Sequence, residues 1–182
     1  RQSTAMVYAS GGIGRVPWDT FMPQNAPRYF GDAEKFADLF GFVRANAAYL
    51  DGYEEAAAFG KGISKQKGAS PAVRVHAGQV YAITRVLPGK ADAAVVVHLI
   101  DWRDKTKSFR VSLDAKQFFG DKPLKVTLVT PVKYNKTLHR QAEKAKDYNK
   151  LVTTVVLDVT AKDGKSVVRV PAISPWALLI VE

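Results

Sequence analysis

"GGIGRVPWDTFMP", residues 11–23, decides how the first third of this chain reads. Two glycines stop whatever precedes them, and Ile13–Val16 is a short apolar stretch. Pro17 closes it, and Trp18-Asp19 follow at once. The pattern predicts a helix stop, one short buried strand, and the first residues beyond that strand's C-terminal end.

The flanks extend this reading. Upstream, Thr4–Ser10 reads as the last turns of a helix. Downstream, Pro23 and Pro27 mark an extended loop, and Asp32 is placed to cap a helix from Ala33 to about Leu50. Phe36, Leu39, Phe40, Val43, Ala47 and Leu50 recur at helical spacing and form one apolar stripe, leaving Glu34, Lys35, Asp38 and Arg44 for solvent. Helix, short buried strand, long loop and helix together make the closing unit of an α/β architecture. In a (β/α)8 barrel the ligand site lies at the C-terminal ends of the strands, where Trp18 and Asp19 would fall.

Beyond residue 51 the helical period is lost. "GKGISKQKGASP", residues 60–71, reads as a linker or long surface loop. From Val73 the grammar is β. Candidate strands are Val73–His76, Gln79–Leu87, Ala94–Asp101, Ser108–Leu113, Leu124–Thr130, Val152–Val159, Ser166–Val170 and Ala177–Val181. Ala77-Gly78, Pro88-Gly89-Lys90, Lys162-Asp163-Gly164 and Ser174-Pro175 supply turns, and the Lys-rich stretch Tyr134–Leu151 reads as a helix-bearing loop. The expected fold is therefore an α/β fragment followed by an all-β antiparallel sandwich. The fragment, residues 1–60, would be the last strand and helices of a (β/α)8 catalytic barrel. Residues 61–72 would be a linker, and residues 73–182 an accessory β-sandwich.

Bulk properties set the outer bounds. The chain has 182 residues, 47% hydrophobic and 24% charged, as in ordinary globular proteins. Its longest apolar runs, such as Ala93–Val97 and Ala177–Val181, are far too short to cross a bilayer, so no membrane partner is expected. It has no cysteine, which removes disulfides and thiolate chemistry. The net charge of +10 is uneven: residues 1–60 carry 5 Lys/Arg and 7 Asp/Glu, and residues 61–182 carry 22 and 10. The chain begins Arg1-Gln2-Ser3-Thr4, with neither an initiator Met nor a signal peptide. It reads as the C-terminal part of something longer, with a processed mature protein as the alternative.

A resemblance enters through "YASGGIGRVPWDTFMP…PRYFGDAEKFADLFGFVRANAAYLDGYE" and, later, "VVVHLIDW" and "PWALLIVE". These stretches resemble the end of the catalytic barrel, and the β-sandwich after it, in bacterial agarase-like glycoside hydrolases. The resemblance implies a polysaccharide substrate, a periplasmic or secreted location, and no cofactor. Such enzymes use two carboxylates flanking the glycosidic bond, and the family's glutamates lie on earlier barrel strands. The resemblance therefore places the catalytic pair upstream of Arg1 and makes the rest of the barrel a partner of this chain. No catalytic residue is assigned here.

Within the chain, Trp18 is a sugar platform and Asp19 a polar contact, or else a core Trp beside a turn Asp. Arg15 points into the barrel towards a carboxylate, or outward to a salt bridge. Tyr29, in Arg28-Tyr29-Phe30, lines the cleft or packs under the helix. His76, His98 and His139 lack zinc-ligand spacing, so no metal site is expected, and His98 reads as a half-buried strand residue. Gly11-Gly12-Ile13-Gly14 precedes a strand, so it is not a dinucleotide fingerprint, and there is no nucleophile-elbow motif. The Lys and Arg of the β region look dispersed and without exposed aromatics between them, which speaks against nucleic acid. Their field would attract an anionic polysaccharide.

The second reading is a non-catalytic carbohydrate- or protein-binding sandwich with an N-terminal helical arm. It predicts that Phe36, Leu39, Phe40 and Val43 fold back onto the sandwich.

Overall fold

A computed structural model describes residues 1–12, 33–63 and 71–182. The positions of Arg15, Trp18, Asp19 and Tyr29, and of the strand read at Ile13–Val16, lie outside the described residues.

Two strands organise the fold. β4 (Val95–Asp101) and β10 (Trp176–Val181) are buried at every position and pair antiparallel, with Leu178 opposite His98. A strand buried on both faces reads as a near-continuous apolar run, as "WALLIV" does and as "VVVHLID" does apart from His98 and Asp101. β4 and β10 are central in a six-stranded sheet of order β1-β3-β4-β10-β6-β7. Its other members are β1 (Glu54–Phe59), β3 (Val80–Val86), β6 (Val126–Pro131) and β7 (Val152–Leu157). A second sheet, of order β2-β5-β9-β8, comprises β2 (Val73–Val75), β5 (Phe109–Leu113), β8 (Val159–Lys162) and β9 (Lys165–Val170). Every pairing in both sheets is antiparallel.

The side-chain alternation of a strand splits the interior into two layers. Val95, Val97 and Leu99, with Ala177, Leu179 and Val181, face the second sheet and meet Val73, Val75, Val111, Leu113, Val168 and Val170. Val96 and Ile100, with Trp176, Leu178 and Ile180, face the other way, onto a helical layer. That layer holds α1 (Gln2–Ala9) and α2 (Ala37–Ala45), which bring Ala5, Ala9, Leu39 and Phe42, all fully buried. Arg1 joins the two helices: its guanidinium donates to both Asp38 carboxylate oxygens, at 2.7 and 2.5 Å. The remaining α-helices are short, α3 (Ala115–Phe119) and α4 (Lys136–Ala145). Asn135 caps α4 by accepting from the Leu138 N–H. Among the described residues no helix is long and apolar enough to cross a membrane.

This arrangement overturns the expected fold class. The described residues form two antiparallel sheets with four short α-helices, and nothing in them is a fragment of a (β/α)8 barrel. The apolar faces of α1 and α2 do not await parallel strands, because the second face of an antiparallel sheet already covers them. β1 lies between the expected helix end near Leu50 and the expected linker at residues 61–72, where no strand is expected, yet it pairs with β3 through a bulge between Glu55 and Ala57. Its sequence EEAAAF carries little β signal, because alanine and glutamate are depleted in strands.

The apolar stripe of α2 is also rotated from the one expected. The helix buries Asp38, Leu39, Gly41 and Phe42, while Phe40 is only half-buried. Asp38, assigned to solvent, is instead the buried acceptor of Arg1. The helix stops at Ala45 and a 3-10 turn, Ala47–Tyr49, follows. At the β8–β9 hairpin, Asp163 and Gly164 both have positive φ, 50° and 71°. A two-residue turn of this hand matches the twist of the strands it joins.

Candidate functional site

None of the four residues singled out from sequence lies in the described residues, so the site is built from others. The first feature is Trp102, which leaves the end of β4 with 45% of its surface exposed. The loop that carries it is locked from beneath. Asp101 is fully buried, and its carboxylate accepts from the backbone N–H groups of Arg103, Lys105 and Thr106 at 3.2, 3.0 and 2.7 Å. The Trp102 N–H donates to the Gln79 carbonyl at 2.9 Å. A buried acid spends its acceptor capacity here on turning one loop tightly.

Tyr81 of β3 holds the indole edge-on, with ring centroids 6.2 Å apart and planes at 71°. That geometry suits the ring quadrupoles. Tyr81 lies against Gly60, where an added Cβ would sit 2.2 Å from Tyr81 Cδ1. Glycine is thus required for the ring to lie where it does. The result is an exposed, preorganised indole, the kind of surface on which the apolar C–H face of a sugar ring stacks. Trp102 and Tyr81 were missed in sequence because "HLIDW" drew attention as a core strand. The available signal was a large aromatic one residue past the strand's end.

A second feature is a groove of about 540 Å³ between α2 and α4. Phe40, Gly41, Arg44, Tyr134, His139 and Tyr148 line it. Gly41 permits the close approach, since a Cβ there would meet Leu151 Cδ1 at 2.9 Å. Glu143 accepts from Tyr148 at 2.8 Å, from Lys146 at 2.6 Å, and from Arg44. The hydrogen bonds from Lys146 and Tyr148 lower its pKa to about 2. It is the one carboxylate among the described residues lining the groove. An ionised carboxylate so occupied supplies neither a proton nor a free base, and a glycosidase needs two such groups.

The third feature lies inside. His98 is fully buried, not half-buried, and stacks on Trp176. Among the described residues neither of its ring nitrogens has a hydrogen-bond partner, and the same holds for Trp176 Nε1 and Arg85 Nε. Burial first, and the nearby Arg85 second, push the His98 pKa down to about 3. The ring is therefore neutral at ordinary pH. With no exposure to solvent, it belongs to the helical-layer core and not to a site.

No protein-family model matches the chain, and no curated protein matches it in sequence. Among solved structures it is similar to a cycloisomaltooligosaccharide glucanotransferase of Paenibacillus sp., crystallised with cycloisomaltoheptaose. The TM-score is 0.55 at 12% identity. The likeness is one of fold. It covers 98% of this chain and 26% of that one, so this chain spans about a quarter of the neighbour's length.

Proposed function

We propose that this chain is an accessory β-sandwich of a polysaccharide-processing glycoside hydrolase or a related transglycosylase, and that it holds a glycan against Trp102 and Tyr81. The carrying observation is the exposed Trp102 on a loop fixed to the buried Asp101. Leaving an indole in water while spending a buried carboxylate to hold it still makes sense if the indole meets a ligand. Preorganisation removes part of the ordering cost of binding. The fold likeness to part of a carbohydrate-active enzyme supports the reading.

In this reading Trp18, Asp19, Arg15 and Tyr29 are further glycan contacts, proposed on side-chain chemistry alone. The reading predicts binding without hydrolysis by the chain itself. Affinity electrophoresis in gels containing neutral polysaccharides tests it. The chain is retarded by at least one of them, and Trp102→Ala abolishes the retardation. Equal mobility of both proteins in every gel would remove the proposal.

A further inference from the structure

The outer face of the four-stranded sheet collects cations that are scattered in sequence. Arg74 of β2, Arg110 of β5, Lys162 of β8 and Arg169 of β9 are all exposed. Arg110 and Arg169 stand directly opposite each other across paired strands. Like charges in that position repel. Among the described residues none of these four cations has a carboxylate within 4.0 Å. Arg169 donates instead to the Ser108 hydroxyl at 3.1 Å.

The face is also shaped. Two shallow depressions, of about 510 and 260 Å³, share His76, Arg110 and Val167. Asp158 lines the larger and Asp163 the smaller, and among the described residues neither is ion-paired. His76 sits between the depressions, with Nε2 at 2.8 Å from the Ser112 hydroxyl. Its pKa is lowered, first by partial loss of water and then by Arg110, Arg74, Lys162 and Lys165. The ring thus sits among four cations at the centre of the face.

We propose that this face binds an acidic polysaccharide, with its sulfate or carboxylate groups seated against Arg110, Arg169 and Arg74. Guanidinium forks pair with both kinds of oxyanion in two-point fashion, and an uncompensated arginine pair gains most from such a partner. The hydroxyls of Ser108 and Thr160 beside them suit sugar hydroxyls. Nucleic acid fits less well: among the described residues lining these depressions no Phe, Tyr or Trp offers a face for a base, since Phe109 is buried in the core, and the one open ring is His76. The choice of a polysaccharide over other polyanions rests on the glycan-binding reading above.

The test is affinity electrophoresis of the full chain with dextran sulfate, polygalacturonate, neutral dextran and duplex DNA, each at low and high salt. The double variant Arg110→Gln/Arg169→Gln loses roughly tenfold or more in affinity for dextran sulfate or polygalacturonate and shows a shallower salt dependence. Its thermal midpoint is unchanged or raised, because repulsion is relieved. The double variant Lys116→Gln/Lys122→Gln, at exposed lysines elsewhere, binds as the parent does. An equal loss in both double variants would show dispersed charge and overturn the proposal, as would DNA binding as tight as dextran sulfate binding. Neutral dextran reads the Trp102 platform and the Arg110→Gln/Arg169→Gln loss on dextran sulfate reads the basic face, so failure of the one and failure of the other give different results.

Discussion

His98 and Trp176 lie nearly parallel on one side of the six-stranded sheet, with ring centroids 5.7 Å apart and planes at 22°. Phe42 meets the same indole edge-on at 4.9 Å, and Tyr8 lies over it at 6.4 Å. A titratable ring is thus sealed between sheet and helices, with no hydrogen-bond partner for either nitrogen among the described residues.

That burial sets an acid limit on stability. The folded pKa of about 3 lies below the ordinary value of 6.5, so between these two values the unfolded chain binds a proton that the folded chain refuses. The contribution is fully present above pH 6.5 and is lost as pH falls towards 3. At 1.36 kcal/mol per unit it is on the order of 4–5 kcal/mol. Urea unfolding at neutral pH and near pH 4 reads the larger part of it, about 3 kcal/mol. His98→Leu, which cannot titrate, flattens the slope over this range. An unchanged slope would show that other groups carry the acid sensitivity.

The helical layer and the sandwich share one sheet and unfold together. Leu39→Ala and Phe42→Ala each cost about 3 kcal/mol, the usual penalty for emptying a full core position. Far-ultraviolet circular dichroism and hydrogen-exchange protection of β5 and β9, in the other sheet, then shift by the same amount along the urea axis. A helix signal lost well before that protection would mean that residues 1–60 fold as a separate unit.

Gly60→Ala tests the support of the platform without touching the indole. The new Cβ displaces Tyr81, since it would sit 2.2 Å from that ring. Glycan affinity falls several-fold, and overall stability changes by about 1–3 kcal/mol, as expected for overpacking. Undiminished affinity would remove Tyr81 from the site.

Asp101→Ala releases three backbone N–H groups at once. The expected loss is about 2–3 kcal/mol of stability, with weaker glycan binding because the loop no longer holds Trp102 still. Hydrogen exchange at Arg103, Lys105 and Thr106 reports the loosening directly. Protection equal to that of the parent would refute the lock.

Much of the sheet structure was legible in the sequence. Strong apolar runs with turn residues between them fix strand positions whatever covers their faces, and Asp163-Gly164 marks its hairpin by backbone geometry alone. The partner of an amphipathic helix is not legible in this way. The periodicity of residues 36–50 says that one side is apolar, not whether a parallel barrel or an antiparallel sheet receives it. α2 in fact meets two neighbours, the sheet through Leu39 and Phe42 and the α2–α4 groove through Phe40, so its buried stripe departs from a single-faced pattern. The basic face was illegible for a related reason. Arg74, Arg110 and Arg169 come from three strands, and only the pairing of β2, β5 and β9 brings them together.

The account rests most on Trp102 as a glycan contact. Isothermal titration of the parent chain and of Trp102→Ala with oligosaccharides of the neutral polysaccharide that retards the parent most tests this most directly. The account predicts measurable binding by the parent, a loss of at least about 1 kcal/mol in the variant, beyond the usual worth of an aromatic contact at an exposed site, and superimposable circular dichroism spectra. Binding that is identical in the two proteins would contradict it.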